Sequence, residues 1–173
     1  MKSNIFNEDF QDFLYCLEKL NVEYVLVGGY AVIIHGYHRT TGDMDIFVNC
    51  TEENYLKLVR AFNLFGMPIF GMTLEKFLDQ SNYDVFVFGR PPVSIDILTK
   101  IKGSSFNEVV RSSMDYQVDE NLKIKVVTMN QLIKLKKSSS RYKDLNDIEN
   151  LEYNNIILEN YNSYETLKTK MIP

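Results

Sequence analysis

The sequence predicts an α+β fold: a small sheet of four or five strands with flanking helices and a helical C-terminal region. Three observations predict it. Short runs rich in Val, Ile, Phe and Tyr at 24–27, 43–48, 83–88, 93–98 and 122–127 read as strands. Apolar residues at helical spacing lie before and between them, and from Thr128 onward the pattern is helical. The 173 residues, with 45% hydrophobic and 24% charged side chains, suit one packed unit and exclude a disordered or collagen-like chain. Two regions are expected: a core with its leading helix at 1–127 and a helical region at 128–173 packed on it.

Phe6, Phe10, Phe13, Leu14, Leu17 and Leu20 form a 3.6-residue stripe opposite Glu8, Asp9, Asp12 and Lys19, which predicts an amphipathic helix. Tyr24-Val25-Leu26-Val27 is a strand stopped by Gly28-Gly29, and Tyr30 to His35 is a short buried helix closed by Gly36. Asp43 to Val48 is a strand whose alternation sets Asp43, Asp45 and Phe47 on one face and Met44, Ile46 and Val48 on the other. Thr51 caps a helix with Glu52 and Glu53 in its first turn, running to Gly66. A short helix at 73–78 precedes two antiparallel strands, 83–88 and 93–98, joined by Gly89-Arg90-Pro91-Pro92. Phe106 to Arg111 is a brief helix, and Leu122 to Val127 is an edge strand protected by Lys123 and Lys125. Helices follow at 129–137 and from Asp144 to about Leu158, with a tail to Pro173.

The net charge of −4 and pI near 5.2 exclude wholesale binding to nucleic acid and leave only a local basic patch. Glu8, Asp9, Asp12 and Glu18 interrupt the N-terminal apolar residues, so neither a signal peptide nor a membrane span is expected, and the cytoplasm is the expected location. Cys16 and Cys50 are far apart and lack CxxC spacing, which points to reduced thiols. No GxxxxGK[ST] or GxGxxG occurs, no serine sits in a nucleophile elbow, and His35 and His38 have no third ligand at metal spacing. The acid-free run from Lys134 to Lys143 reads equally well as a solvated face or as a phosphate or RNA contact.

The informative pattern is Gly28-Gly29 at a strand end, Asp43-x-Asp45 on the next strand, and Asp96 set among Val93, Ile95 and Ile97. Carboxylates in apolar strands are costly unless paired. Two at i and i+2 stand side by side, and a cation between them removes the repulsion. Magnesium suits such donors, because it takes hard oxygen ligands and is commonly held by one or two carboxylates plus substrate phosphates. Manganese is the alternative. Two ions can flank an in-line displacement at phosphorus, with Asp96 completing the first ion's site. Gly28 and Gly29 let backbone N–H groups approach phosphate oxygens.

The stretch from Gly28 to Val48, with Gly-Gly, His35-Gly36 and Arg39-x-Thr41-x-Asp43-x-Asp45, resembles the signature of the polymerase-beta-like nucleotidyltransferase superfamily. It is similar to the small bacterial branch of abortive-infection and toxin–antitoxin nucleotidyltransferases, as is Leu132-Ile133-x-x-Lys136 followed by Arg141-x-Lys143-Asp144-x-x-Asp147. The resemblance spans roughly residues 24–150. It implies a mixed sheet and a magnesium-dependent transfer of a nucleoside monophosphate from a nucleoside triphosphate to a hydroxyl on RNA or protein. Asp43, Asp45 and Asp96 would be catalytic and metal ligands, while Gly28, Gly29, Arg39, Thr41, Lys136 and Arg141 would contact the nucleotide. Asp144 and Asp147 would brace their helix, and the basic run would lean toward phosphate. Gly29 departs from the Ser common at that position and loses a hydroxyl donor. The alternatives are a weak or inactive module paired with a partner chain, or transfer to a small-molecule antibiotic. The length leaves no room for an acceptor domain, so the acceptor is expected to bind the core or a partner.

Overall fold

The computed structural model describes residues 5–90, 92–139 and 142–170. In chain order the elements are α1 (Glu8–Lys19), β1 (Tyr24–Leu26), α2 (Gly28–Ile34), β2 (Asp43–Val48), α3 (Glu52–Phe65), α4 (Leu74–Leu78), β3 (Val85–Arg90), β4 (Val93–Leu98), α5 (Phe106–Arg111), β5 (Met114–Gln117), β6 (Lys123–Val126), α6 (Met129–Ser139) and α7 (Tyr142–Lys170). Among the described residues no helix is long and apolar enough to cross a membrane.

The sheet is mixed, with order β3-β4-β2-β1-β6-β5. Pairs β2–β4 and β1–β6 are parallel, and β1–β2, β3–β4 and β5–β6 are antiparallel. It has six strands rather than the expected four or five, because Met114–Gln117 adds an edge strand. That segment is short and half polar, so its own composition does not announce it. Its place comes from register: Asp115 lies opposite Lys125 and bonds both Lys123 and Lys125. The β6 run is therefore interior and not an edge, and its lysines pair across the sheet.

Other boundaries shift for local reasons. Both glycines belong to α2 and do not precede it, with Val27 as the cap residue, and His35 is the C-cap before Gly36 at φ 92°. Helix α7 starts at Tyr142 and continues beyond 158 as one 29-residue helix. The cap predicted at Thr51 is present, and Thr73 caps α4 in the same way, each side chain accepting a bond from the backbone N–H three residues on.

Alternation sorts the packing. Met44, Ile46, Phe88, Ile95 and Ile97 are buried on one face, where Phe62 of α3 meets Phe88 at 4.4 Å between ring centroids. Phe13 of α1 lies edge-on to Phe62 and Phe65. On the opposite face, which carries Asp43 and Asp45, Phe47 packs against Phe106 of α5. Phe13 is fully buried, so Phe13→Ala is expected to lower unfolding stability by about 3–5 kcal/mol. A denaturant titration should show this as a lower midpoint with an unchanged slope.

Candidate functional site

The parallel pairing of β2 with β4 sets Asp43 opposite Ser94 and Asp45 opposite Asp96. Because side chains alternate along a strand, the three acids and Ser94 share one face. Ser94 is nearly buried, and its hydroxyl lies 3.0 Å from Asp43 Oδ1 and 2.8 Å from Asp96 Oδ1. Sequence reasoning named the three acids and missed Ser94. The signal was available in Ser94-x-Asp96, which repeats the spacing of Asp43-x-Asp45.

Asp45 is held differently. Its Oδ2 lies 3.4 Å from the Gly29 N–H that donates to it. Gly28 has φ +64°, and a Cβ there would overlap the Asp45 carboxylate, so only glycine serves at this position. At Gly29 a Cβ would lie 2.5 Å from Thr41 Oγ1. The Thr41 hydroxyl thus fills the space that a side chain at 29 would use, and it also lies 3.4 Å from the Asp43 carbonyl to which it donates. That crowding accounts for glycine rather than serine here.

Among the described residues no group of three or more His, Cys, Asp or Glu side chains is gathered closely enough to hold a metal ion. The expected convergence of the three aspartates is therefore only partial: they share a face, but Asp45 turns toward Gly29 while Asp43 and Asp96 turn toward Ser94. The donor set itself, hard carboxylate oxygens on adjacent strands, fits magnesium or manganese. A single hydroxyl proton serves one carboxylate at a time, so Ser94 donates to one of the two and its oxygen stands at hydrogen-bond distance from the other.

The basic candidates are committed to acids. Lys136 Nζ is 2.9 Å from Asp144 and 2.8 Å from Asp147, and Arg39 Nη1 is 2.6 Å from the same Asp147 oxygen. Both aspartates are 2% exposed. Ser139 adds a bond to Asp144. This cluster ties α6 and α7 to the loop before β2, as expected of bracing acids at 144 and 147. Lys136 also lines a cavity of about 80 Å³ with Gly28, Asp45, Leu98 and Ser139, which places it beside the carboxylate face. Lys134 pairs with Glu108 and Lys137 with Glu152, while Arg141 lies outside the described residues.

His35 donates from Nε2 to the Val127 carbonyl at 2.7 Å, fixing the end of α2 to the end of β6. Burial lowers its pKa below 6.5. Both cysteines are free thiols whose pKa values burial raises.

No family model matches the chain, and no curated protein matches it. Among solved structures it is similar to a lincomycin-bound lincosamide antibiotic adenylyltransferase, LnuA. The TM-score is 0.47 at 17% identity, over 87% of this chain and 98% of that one.

Two outcomes follow from these bonds. Asp147→Asn removes the negative charge shared by Arg39 and Lys136 and is expected to lower stability by roughly 3 kcal/mol, read from a denaturant midpoint. His35 binds a proton less readily folded than unfolded, so its contribution is present above pH 6.5 and is lost as pH falls through 6.5 toward the folded value. His35→Gln should flatten the stability profile in that acid window, measured by urea unfolding at a series of pH values.

Proposed function

We propose that the chain is a magnesium-dependent nucleotidyltransferase that moves a nucleoside monophosphate from a nucleoside triphosphate to an acceptor hydroxyl. The single observation that carries this reading is the placement of Asp43, Asp45 and Asp96 on one face of the β2–β4 pair, beside Gly28 and Gly29. Asp43, Asp45 and Asp96 would hold the metal, which when bound supplies charge neutralisation and Lewis-acid polarisation at the α-phosphate.

The chain's own groups do the rest. Backbone N–H groups at Gly28 and Gly29 would take phosphate oxygens, the Gly29 N–H by exchanging its 3.4 Å bond to Asp45 Oδ2. Thr41 keeps that turn closed by bonding toward Asp43. Lys136, beside Asp45 in the shared cavity, adds a positive field while anchored to Asp144 and Asp147. Arg39 serves through its bond to Asp147. Asp96 receives the acceptor's proton as the new oxygen–phosphorus bond forms. The bond from the α-phosphorus to its bridging oxygen breaks, and pyrophosphate leaves.

Two observations favour a protein or a small molecule over RNA as acceptor. Lys134, Lys136 and Lys137 are each ion-paired, so those residues of the basic run offer no unpaired charge to a phosphodiester backbone. Val87, 58% exposed, pairs with Asp96 in register, and Val85 lies two residues before it, also exposed. These valines make an apolar shelf on the carboxylate face.

The test is incubation with each α-labelled nucleoside triphosphate, Mg²⁺ or Mn²⁺, and separated RNA, protein and small-molecule fractions of a cell extract. Metal-dependent label is expected in the protein or small-molecule fraction and should fall roughly 100-fold or more in Asp45→Asn. Triphosphate binding without transfer supports the inactive-module reading instead. Absence of metal-dependent binding overturns both.

A further inference from the structure

Resting on that reading, we infer that Ser94 is a positioning residue whose hydroxyl, donating to Asp43 or Asp96 one at a time, sets the orientation of that carboxylate pair for a cation. Three observations converge on it. Its hydroxyl lies within hydrogen-bond distance of both carboxylates, at 3.0 and 2.8 Å. It is 5% exposed, so bulk water does not replace it as a donor. The parallel register fixes it opposite Asp43 and two residues before Asp96 on the same face, so its backbone cannot drift from either partner.

The physical consequence is a division of labour on one sheet face. Two like charges on neighbouring strands repel, and free side chains would take rotamers that separate their oxygens. A hydroxyl between them removes part of that freedom, since the carboxylate that accepts its proton is held in one rotamer while the other stays beside the same oxygen. Asp43 Oδ1 and Asp96 Oδ1 are thereby gathered around one hydroxyl oxygen, at 3.0 and 2.8 Å. Asp45, on the same face, accepts from the Gly29 N–H instead. Groups that orient the ligands of a metal in this way typically govern its affinity by 10–100-fold.

Alanine removes the hydroxyl without adding bulk, and threonine keeps it on a residue that strands accept. The experiment measures Mn²⁺ affinity by electron paramagnetic resonance titration, with triphosphate present, in the wild type, Ser94→Ala, Ser94→Thr and Asp45→Asn. Ser94→Ala should bind Mn²⁺ about 10–100-fold more weakly with its circular dichroism spectrum unchanged. Ser94→Thr should return most of the loss. If Ser94→Ala binds Mn²⁺ like the wild type while Asp45→Asn does not, the role of Ser94 is overturned and the proposed function stands. Wild-type protein that fails to bind Mn²⁺, or an Asp45→Asn variant that binds it unchanged, overturns the proposed function and the role of Ser94 with it. Should Ser94→Ala not fold, Ser94→Thr decides: Mn²⁺ affinity within threefold of wild type is expected, and a larger loss overturns the assignment.

Discussion

The parallel pairing of β2 with β4 is the constraint on which the site depends. A single register, Asp43 to Ser94 and Asp45 to Asp96, puts three carboxylates and a hydroxyl on one face while Met44, Ile46, Ile95 and Ile97 close the other. A shift of one residue in that pairing would turn the acids into the core and the isoleucines outward. The register is therefore held by the buried apolar set, and the charged set follows from it. The stability of the core and the placement of the chemistry are two results of one alternation.

The surroundings serve the same arrangement. Phe62 on Phe88 and Phe106 on Phe47 fasten helices to the two faces, and the Arg39–Asp147–Lys136–Asp144 cluster fastens α6 and α7 to the loop that enters β2. Buried ion pairs of this kind add little net stability relative to apolar packing, but breaking one partner is costly. Their position beside Gly28 and Asp45 gives them a second consequence. Helix α6, which carries Lys136, forms one wall of the small cavity beside Asp45, while Val85 and Val87 on the sheet are exposed.

Legibility in the sequence followed the strength of local pattern. Asp43-x-Asp45 and the apolar residues between and after them fix both strand and facing, because the period of two is unambiguous there. Asp96 is legible for the same reason. Ser94 is not, since a serine in a strand carries no cost that demands explanation. Its meaning appears only when the register supplies two carboxylates. The strand at Met114–Gln117 is hidden because its pairing partner, not its composition, makes it a strand. Lys136 and Arg39 look like phosphate ligands as isolated cations, and their commitment to Asp144 and Asp147 depends on an α6–α7 packing that no local signal encodes. Gly29 in place of a serine looks like a loss in sequence; in the fold the Thr41 hydroxyl lies against it.

The central claim is that the face shared by Asp43, Asp45, Ser94 and Asp96 is one cation-dependent site. Paramagnetic broadening of backbone amide resonances by substoichiometric Mn²⁺, with a nonhydrolysable nucleoside triphosphate present, tests it most directly. Broadening centred on residues 43–45 and 94–96, with the Asp115 and Tyr116 amides at the far edge of the sheet left sharp, is the predicted result. Broadening centred on Asp115, or spread evenly over the exposed acids, would contradict it.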